Sequence, residues 1–582
     1  MDDPGIHELT SPLIGTVVRS PTHGDHFRHG DPVVVIESMK MEHPVLAPFD
    51  CVVLVGAASP GDQVEAGQVV ATVERSESVA TPTPDQVERR DSNALDEVRE
   101  RRSYGLDENR PDAVGKRHRS GRKTAREYIA ALVDPGTFVE YGPLVLAAQR
   151  SRRGKGELIS KTPGDGLVGG IGEVNHIRCL VMTYDYMVLA GTQGHQNHRK
   201  KDRLFDLAER MNLPVILFVE GGGGRPGETD GVTVAGLDCL AFALLAQLAS
   251  SVPVIGINTG YCFAGNAALF GMCDVRVSTV DGYVGMAGPA MIEGGGLGIV
   301  APTEIGPTSD QSINGVLDIV VADEDTAITT ARNLLVGMTG AVSDRAHRQD
   351  AAVLRHLVPD NRREIYDMRV VLGSVFDRDS VVEVRPDYGK SAITAFARFE
   401  GRPLVVIAND PKHLGGAIDT DSARSISRML RLAEKLGLPV AFFCDTPGFM
   451  VGPEEERAGL VDAAGALFVD GAALSVPFLT VVTRKGYGLG AQAMAGGGFK
   501  QPIATVAWPT SEFGGMGLEG FIKLGYRDEL GAIEDDAERE ARYQEMVSRM
   551  YDIGKGLSMA DHFEIDDVID PAETADWLRL LF

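Results

Sequence analysis

No cysteine in this chain has a partner at a short, repeated spacing. The six, Cys51, Cys179, Cys239, Cys262, Cys273 and Cys444, are scattered without a CxxC pair. That argues against a disulfide framework and fits a reducing compartment in which most thiols are buried. No stretch of about 18 uninterrupted apolar residues is present, so there is no candidate membrane span. The acidic start Met1-Asp2-Asp3-Pro4 lacks the apolar run of a signal peptide. Positive charge is in deficit: 57 Lys and Arg against 82 Asp and Glu leave a formal net charge of −25. This speaks against nucleic acid and anionic membrane as partners, though a local basic cluster could still take a small anionic ligand. Together these absences predict a soluble, cytoplasmic protein. What is present is length and an ordinary globular composition. The 582 residues exceed one domain, and 43% are hydrophobic and 24% charged.

The first 75 residues contain an internal repeat. Gly24, Gly30 and Glu37 recur 37 positions later as Gly61, Gly67 and Glu74, each set leading into an apolar run (Val33–Ile36 and Val69–Val73). Glycines that start turns, followed by β-branched runs, predict two β-halves related by a pseudo-twofold axis. Lys40, within Glu37-Ser38-Met39-Lys40-Met41, falls just past the first half, where a hairpin tip would display it with no acidic partner. Such a lysine is placed for modification.

From Arg75 to Asn93 the alternation stops, and Ser, Thr, Pro82, Pro84 and mixed charges predict a mobile linker. Helical patterning begins at Ala94. The densest positive segment follows: Lys116, Arg117, His118, Arg119, Arg122, Lys123 and Arg126. It reads either as a solvated helix face or as a docking surface for a phosphorylated ligand. His195 and His198 stand three apart, but no Cys, Asp or Glu nearby completes a metal set, and no metal is expected there.

From about residue 165, β-branched runs alternate with helical stretches, which predicts α/β layering. One strand candidate, Val215–Val219, runs into Glu220-Gly221-Gly222-Gly223-Gly224. A second, Val252–Ile257, runs toward a helix start at Gly265-Asn266. The plan then recurs. Leu207-Ala208-Glu209 and Leu213-Pro214-Val215 match Leu432-Ala433-Glu434 and Leu438-Pro439-Val440 at an offset of 225, which puts Glu220 on Asp445 and Gly223 on Gly448. Ser251-Val252-Pro253 matches Ser475-Val476-Pro477 at 224, so Arg484 to Ala491 occupies the place of the Gly260 to Ala267 turn. The large region therefore reads as a duplication with its boundary between residues 340 and 365. In each half, backbone N–H groups at a Gly-rich loop and at a helix start stand ready to stabilise developing negative charge on an oxygen. No GxxxxGK[ST] follows either loop, which argues against a phosphate-cradling P-loop.

The repeat around Met39-Lys40-Met41, with Ser11-Pro12 before it and Ala47-Pro48 after it, resembles a biotin carrier domain; Cys51 departs from the glycine usual there. Residues 94–582 resemble the carboxyltransferase subunit of biotin-dependent acyl-CoA carboxylases. The segments that carry this are Gly121-Arg122-Lys123-Thr124-Ala125-Arg126-Glu127, Leu132 to Phe138, Asp445-Thr446-Pro447-Gly448-Phe449, Arg484-Lys485-Gly486-Tyr487-Gly488, and Ala507-Trp508-Pro509-Thr510 with Met516-Gly517.

The resemblance implies an α/β fold of two tandem crotonase-like domains (94–350 and 351–582) behind a small all-β biotinyl domain of flattened-barrel type (8–75) and a flexible linker (76–93). Biotin would be held on Lys40. One oxyanion hole, at Gly265 and Asn266 with the Gly222, Gly223 and Gly224 loop facing it, would hold the acyl-CoA thioester as an enolate. A second, at Leu489 and Gly490 with Gly448 and Phe449 opposite, would hold the biotin ureido oxygen. Carboxyl transfer from carboxybiotin to the α-carbon then needs no protein nucleophile. Asn266 and Leu489 depart from the small residues usual in the family. Gln492, where acidic or aliphatic residues accompany short acyl chains, points away from acetyl- and propionyl-CoA as substrates. The implied partners are a biotin protein ligase, a separate biotin carboxylase subunit using ATP and bicarbonate, and further copies of this chain in a hexamer built as a trimer of dimers. A decarboxylase or transcarboxylase subunit is the alternative reading.

Overall fold

The computed structural model describes residues 5–76, 93–231, 237–340 and 350–582, and most of the expected linker lies outside them. The chain forms two compact units, 1–93 and 94–582.

The first unit is all β. One four-stranded sheet joins Ile6–Thr10, Val69–Arg75, Cys51–Gly56 and His26–Phe27; the other joins Met41–Leu46, Pro32–Ser38, Gly15–Arg19 and Gln63–Val64, antiparallel throughout. The repeat recurs in the hydrogen bonds. Asp25 accepts from the Thr22 amide and Asp62 from the Ser59 amide. Asp31 accepts from the Arg28 amide, and Gln68, 37 positions on, from the Glu65 amide. Val17, Val34, Ile36, Val53, Val70 and Val73 fill the space between the sheets. Cys51 is fully buried at the start of its strand, so the departure from glycine packs the core.

The second unit holds two seven-strand paths in corresponding order. The first runs Ile319–Val321, Val275–Thr279, Val254–Asn258, Val215–Phe218, Ile177–Tyr184, Leu167–Val174, Val139–Glu140. The second runs Asp567–Val568, Ala504–Ala507, Phe478–Tyr487, Val440–Thr446, Arg402–Asn409, Ala392–Phe399, Val382–Val384. Adding 225 to the bounds of Leu167–Val174, Ile177–Tyr184 and the helix His195–Met211 gives those of Ala392–Phe399, Arg402–Asn409 and the helix Thr420–Leu436. Register is kept as well: Leu180 pairs with Val215, and Val405 with Val440. Strands buried on both faces explain the continuous apolar runs, since a parallel sheet covered by helices has no polar face.

The two halves share one core, in which Phe218, Ile257 and Met338 pack in the same cluster as Phe396, Ile407 and Phe442. Across the seam, the fully buried Asp318 carboxylate accepts from Arg276 (3.0 Å), Arg385 (2.9 Å) and Arg428 (2.6 Å), and Lys435 pairs with Asp274 at 2.5 Å. Burial pushes the Asp318 carboxyl up, but the three guanidiniums more than offset this and hold it well below the usual carboxylate range. Replacing Asp318 with Asn strands one buried and two half-buried cations and should lower unfolding stability by about 3 kcal/mol in denaturant titrations near neutral pH. Because the folded-state pKa is depressed, this contribution is present above the unfolded value of about 4 and is lost as pH falls toward the folded one. The two proteins should therefore converge in acid. A constant gap down to the lowest accessible pH would sink the assignment.

Candidate functional site

Lys40 sits on a two-residue hairpin. Ser38 pairs with Met41, and Met39 and Lys40 form the loop with φ of 52° and 65°. Two successive left-handed residues make the tight turn whose twist suits a hairpin, normally the place of Asn-Gly. Met39 is 96% exposed, and Lys40 is exposed with no ion pair among the described residues. Its amine is thus free to form an amide bond.

In the first half, the strand Val215–Phe218 leads into Glu220, whose carboxylate forms a buried bidentate pair with Arg117. The segment singled out as basic is largely neutralised. Besides Arg117, Arg122 pairs with Asp281, Lys123 with Asp325, Arg126 with Glu140, and His118 with Glu127. The segment clamps the strand ends, and that accounts for most of its charge.

Beyond Glu220 the loop turns at Gly223 (φ 85°). The Gly222 amide donates to the Ala190 carbonyl (3.1 Å) and the Gly223 amide to Asn266 Oδ1 (3.1 Å). These two expected donors are therefore already paired, and of the three loop glycines only the Gly224 amide has no acceptor among the described residues. The helix Gly265–Gly271 begins opposite, and the amides of Gly265 and Asn266 likewise have no acceptor. First-turn amides cannot bond within a helix, so these two point outward. The Asn266 side chain folds back, buried, against the loop, and Nδ2 donates to the Val219 carbonyl at 3.2 Å. Ala264, just before the helix, holds φ of 51°, a strained position for a residue with a Cβ.

In the second half, Asp445 occupies the place of Glu220, fully buried and paired with Lys485 (2.5 Å) and Arg484 (3.2 Å). Gly448, the match of Gly223, has φ of 125°, and its amide donates to Thr446 Oγ1 (3.2 Å), so here too the turn amide is paired. The Phe449 amide, and those of Leu489 and Gly490 at the start of the helix Gly488–Ala493, have no acceptor among the described residues. Gly490 lies so close to the loop that an added Cβ would stand 2.7 Å from Gly448 Cα and 3.1 Å from the Phe449 nitrogen. Each half thus presents unpaired amides at corresponding positions, one set around Gly265 and Asn266, the other around Phe449, Leu489 and Gly490. Donors fixed in this way can stabilise charge on an oxygen without reorganising.

A cavity of about 530 Å3 opens beside the second set, lined among others by Leu489, Gln492, Phe513, Met516, Phe521 and Met550. Apart from Gln492 and Glu564, its walls are apolar side chains and glycine.

His195 and His198 lie in the first turn of the helix 195–211; burial pushes the His198 ring down to about 3, so it stays neutral at physiological pH. Among the described residues, Asp134, Glu173 and His176 are the one group with metal-ligand spacing, but the Asp134 carboxylate already accepts from Arg332 and from the amides of Asn175 and His176. No helix of the described residues is long and apolar enough to cross a membrane.

Sequence reading alone did not single out Gln193 and Lys201, which buttress the first amide set from behind. Lys201 Nζ donates to Gln193 Oε1, and Gln193 Nε2 donates to Asn266 Oδ1. The signal was there: in the helix 195–211 the buried positions 197, 200, 201, 204, 205 and 208 form one stripe, and Lys201 lies on it.

Residues 116–580 match the family described as "Carboxyl transferase domain" and residues 7–73 that described as "Biotin-requiring enzyme". A propionyl-CoA carboxylase carboxyltransferase subunit from Haloferax mediterranei is 31% identical over 505 residues, covering 83% of this chain and 94% of that protein. Among solved structures, a single-chain, multi-domain long-chain acyl-CoA carboxylase superposes with a TM-score of 0.82 at 48% identity over all of this chain. This chain spans only 56% of that one. The hexameric transcarboxylase 12S core, solved with methylmalonyl-coenzyme A, superposes with a TM-score of 0.73 at 26% identity, covering 87% of this chain and 96% of that one.

Proposed function

This chain belongs to the carboxyl transferase family and carries a biotin-requiring domain, and from that premise we propose that it moves a carboxyl group from biotin on its own Lys40 to the α-carbon of an acyl-CoA thioester. The observation that carries the proposal is the matched pair of amide sets on a chain that also displays a free lysine on a hairpin tip. Biotin, amide-linked to Lys40 Nζ, would supply the transferable carboxyl group. The amides of Gly265 and Asn266 would hold the thioester oxygen as negative charge develops on it. Those of Leu489 and Gly490, with Phe449 opposite, would hold the ureido oxygen. Gly223 and Gly448 shape the loops, their own amides being paired within the protein. No side-chain nucleophile is required.

The cavity beside Leu489 and Gln492 supports a long acyl chain as substrate, as does the likeness to a long-chain acyl-CoA carboxylase. Each methylene buried contributes about 0.8 kcal/mol, so four methylenes more than acetyl correspond to about 200-fold in kcat/KM. Rates over acyl-CoA thioesters of increasing chain length test this; acetyl-CoA turned over as fast as any longer thioester would remove it. ATP-dependent loading of the biotin from bicarbonate would fall to residues beyond these 582, on a separate biotin carboxylase subunit or elsewhere on the same chain. Attachment of biotin would fall to a biotin protein ligase. A hexamer is proposed from the transcarboxylase core.

A further inference from the structure

We infer that Lys201 is a positioning residue for the first amide set, acting through Gln193 and Asn266 on the Gly223 amide and the start of the 265–271 helix. The inference rests on the reading of that set as the thioester site. Lys201 is fully buried and forms no ion pair with a carboxylate among the described residues. Its Nζ donates to Gln193 Oε1 at 2.8 Å and to the Tyr184 hydroxyl oxygen at 3.0 Å. Because Gln193 Oε1 receives the lysine, its Nε2 must face Asn266, where it donates to Oδ1 at 3.2 Å. The same Oδ1 receives the Gly223 amide at 3.1 Å. Asn266 Nδ2 is thereby turned to the Val219 carbonyl (3.2 Å) and toward that of Gly191 (3.5 Å). An amide side chain has one accepting and one donating end, so the fixed donor at Lys201 sets the orientation of Gln193, and Gln193 joins the Gly223 amide in holding that of Asn266. Gln193 also lies directly beneath the site: a Cβ on Gly265 would stand 3.1–3.3 Å from its terminal atoms.

The second half shows that the fold does not need this chain of bonds. At the offset of 225, Lys201 corresponds to Ile426 and Gln193 to Ile418, both fully buried, and Asn266 matches Gly490 at 224. The same helix-on-sheet packing is thus made there from apolar side chains and glycine. Burying an amine without a carboxylate is costly, and burial pulls the Lys201 pKa down to about 7. A costly group kept in one half and dispensed with in the other points to a task at the first site.

The test uses the full biotinylated chain and follows biotin-dependent decarboxylation of 2-carboxypalmitoyl-CoA, the reverse of carboxyl transfer, in which the C–CO2 bond breaks, the carboxyl group leaves by way of biotin as CO2, and the α-carbon takes a proton that solvent ultimately supplies. Lys201→Met keeps the volume and removes a costly buried amine, but it takes the donor from Gln193 Oε1, so it should melt within about 5 °C of the wild type. Its kcat should fall about tenfold with KM for the thioester within about twofold, as expected for misaligned donors. Gln193→Glu keeps the lysine's acceptor but offers Asn266 no donor, and should lose as much. The double variant Lys201→Met/Gln193→Met, which leaves no buried charge or polar end stranded at either position, should be no worse than Lys201→Met alone, since both break the same chain of bonds. Gly265→Val is the control for the underlying reading. If it turns over normally, the thioester site is elsewhere. If it is inactive while Lys201→Met and Gln193→Glu keep kcat within twofold of wild type, the site stands and the role of Lys201 is overturned.

Discussion

Lys40→Ala should abolish biotin-dependent carboxyl transfer by the full chain while leaving the unfolding of residues 94–582 unchanged. Lys40 is exposed at the tip of a hairpin whose two loop residues are both left-handed, and no side chain among the described residues competes for its amine. Each left-handed residue with a Cβ costs about 1–3 kcal/mol, a cost borne by the strands on either side, where Val34, Ile36 and Val45 are buried. The variant loses the one atom to which biotin would be linked and nothing that the core uses. Intact mass should show one biotinyl increment on the wild type and none on Lys40→Ala. Lys40→Arg separates charge from chemistry, because a guanidinium keeps the charge but is not acylated, so it should be equally inactive. Transfer at the wild-type rate by either variant, with no carrier added, would show that Lys40 does not carry the group.

Gly490→Val should lower kcat by about 10²–10³, the range seen when one oxyanion donor is lost. A Cβ at 490 would stand 2.7 Å from Gly448 Cα, and that neighbour is backbone, with no rotamer to yield. The helix start must therefore move off the loop, which separates the Leu489 and Gly490 amides from that of Phe449. The damage falls on the second set alone, because the Gly265 and Asn266 amides lie in the other half. KM for a short acyl-CoA, whose chain does not reach the cavity beside Leu489, should accordingly hold within about threefold while kcat collapses, the signature of a group engaged only in the reacting complex. Circular dichroism and thermal melting check that the half-domain has not unfolded. Turnover within threefold of wild type would mean that the Leu489–Gly490 amides hold nothing that reacts.

Several features could be read before any coordinates. The 37-residue repeat predicted the paired β-halves, and the same spacing reappears in the Asp25 and Asp62 turns. The 225 offset predicted the duplication, because a repeated strand–helix–strand unit must keep its apolar and turn residues at fixed intervals to bury the same faces. It holds to the residue over the helices 195–211 and 420–436. Two departures from the family's small residues were also visible, but only the structure assigned them different consequences. Asn266 turns inward and staples a loop, whereas Leu489 stays 61% exposed beside a cavity.

Other expectations needed coordinates because they concern partners distant in sequence. The positive segment at 116–126 could be a free basic surface or a set of clamps, and its carboxylates, Glu220, Asp281 and Asp325, lie about 100 to 200 residues away. The Gly222–Gly224 loop was expected to offer its amides to a ligand, yet Gly222 and Gly223 bond Ala190 and Asn266 instead. The sequence by itself determined the two β-halves and the doubled α/β plan, and placed Lys40 at a hairpin tip, since these follow from local spacing and the periodicity of burial. Tertiary structure alone decided which amides remain unpaired and that Lys201 stands behind the first set. A hydrogen-bonding group declares its partner only when the chain has brought distant segments together, and whether it is free for a ligand depends on every neighbour it then acquires.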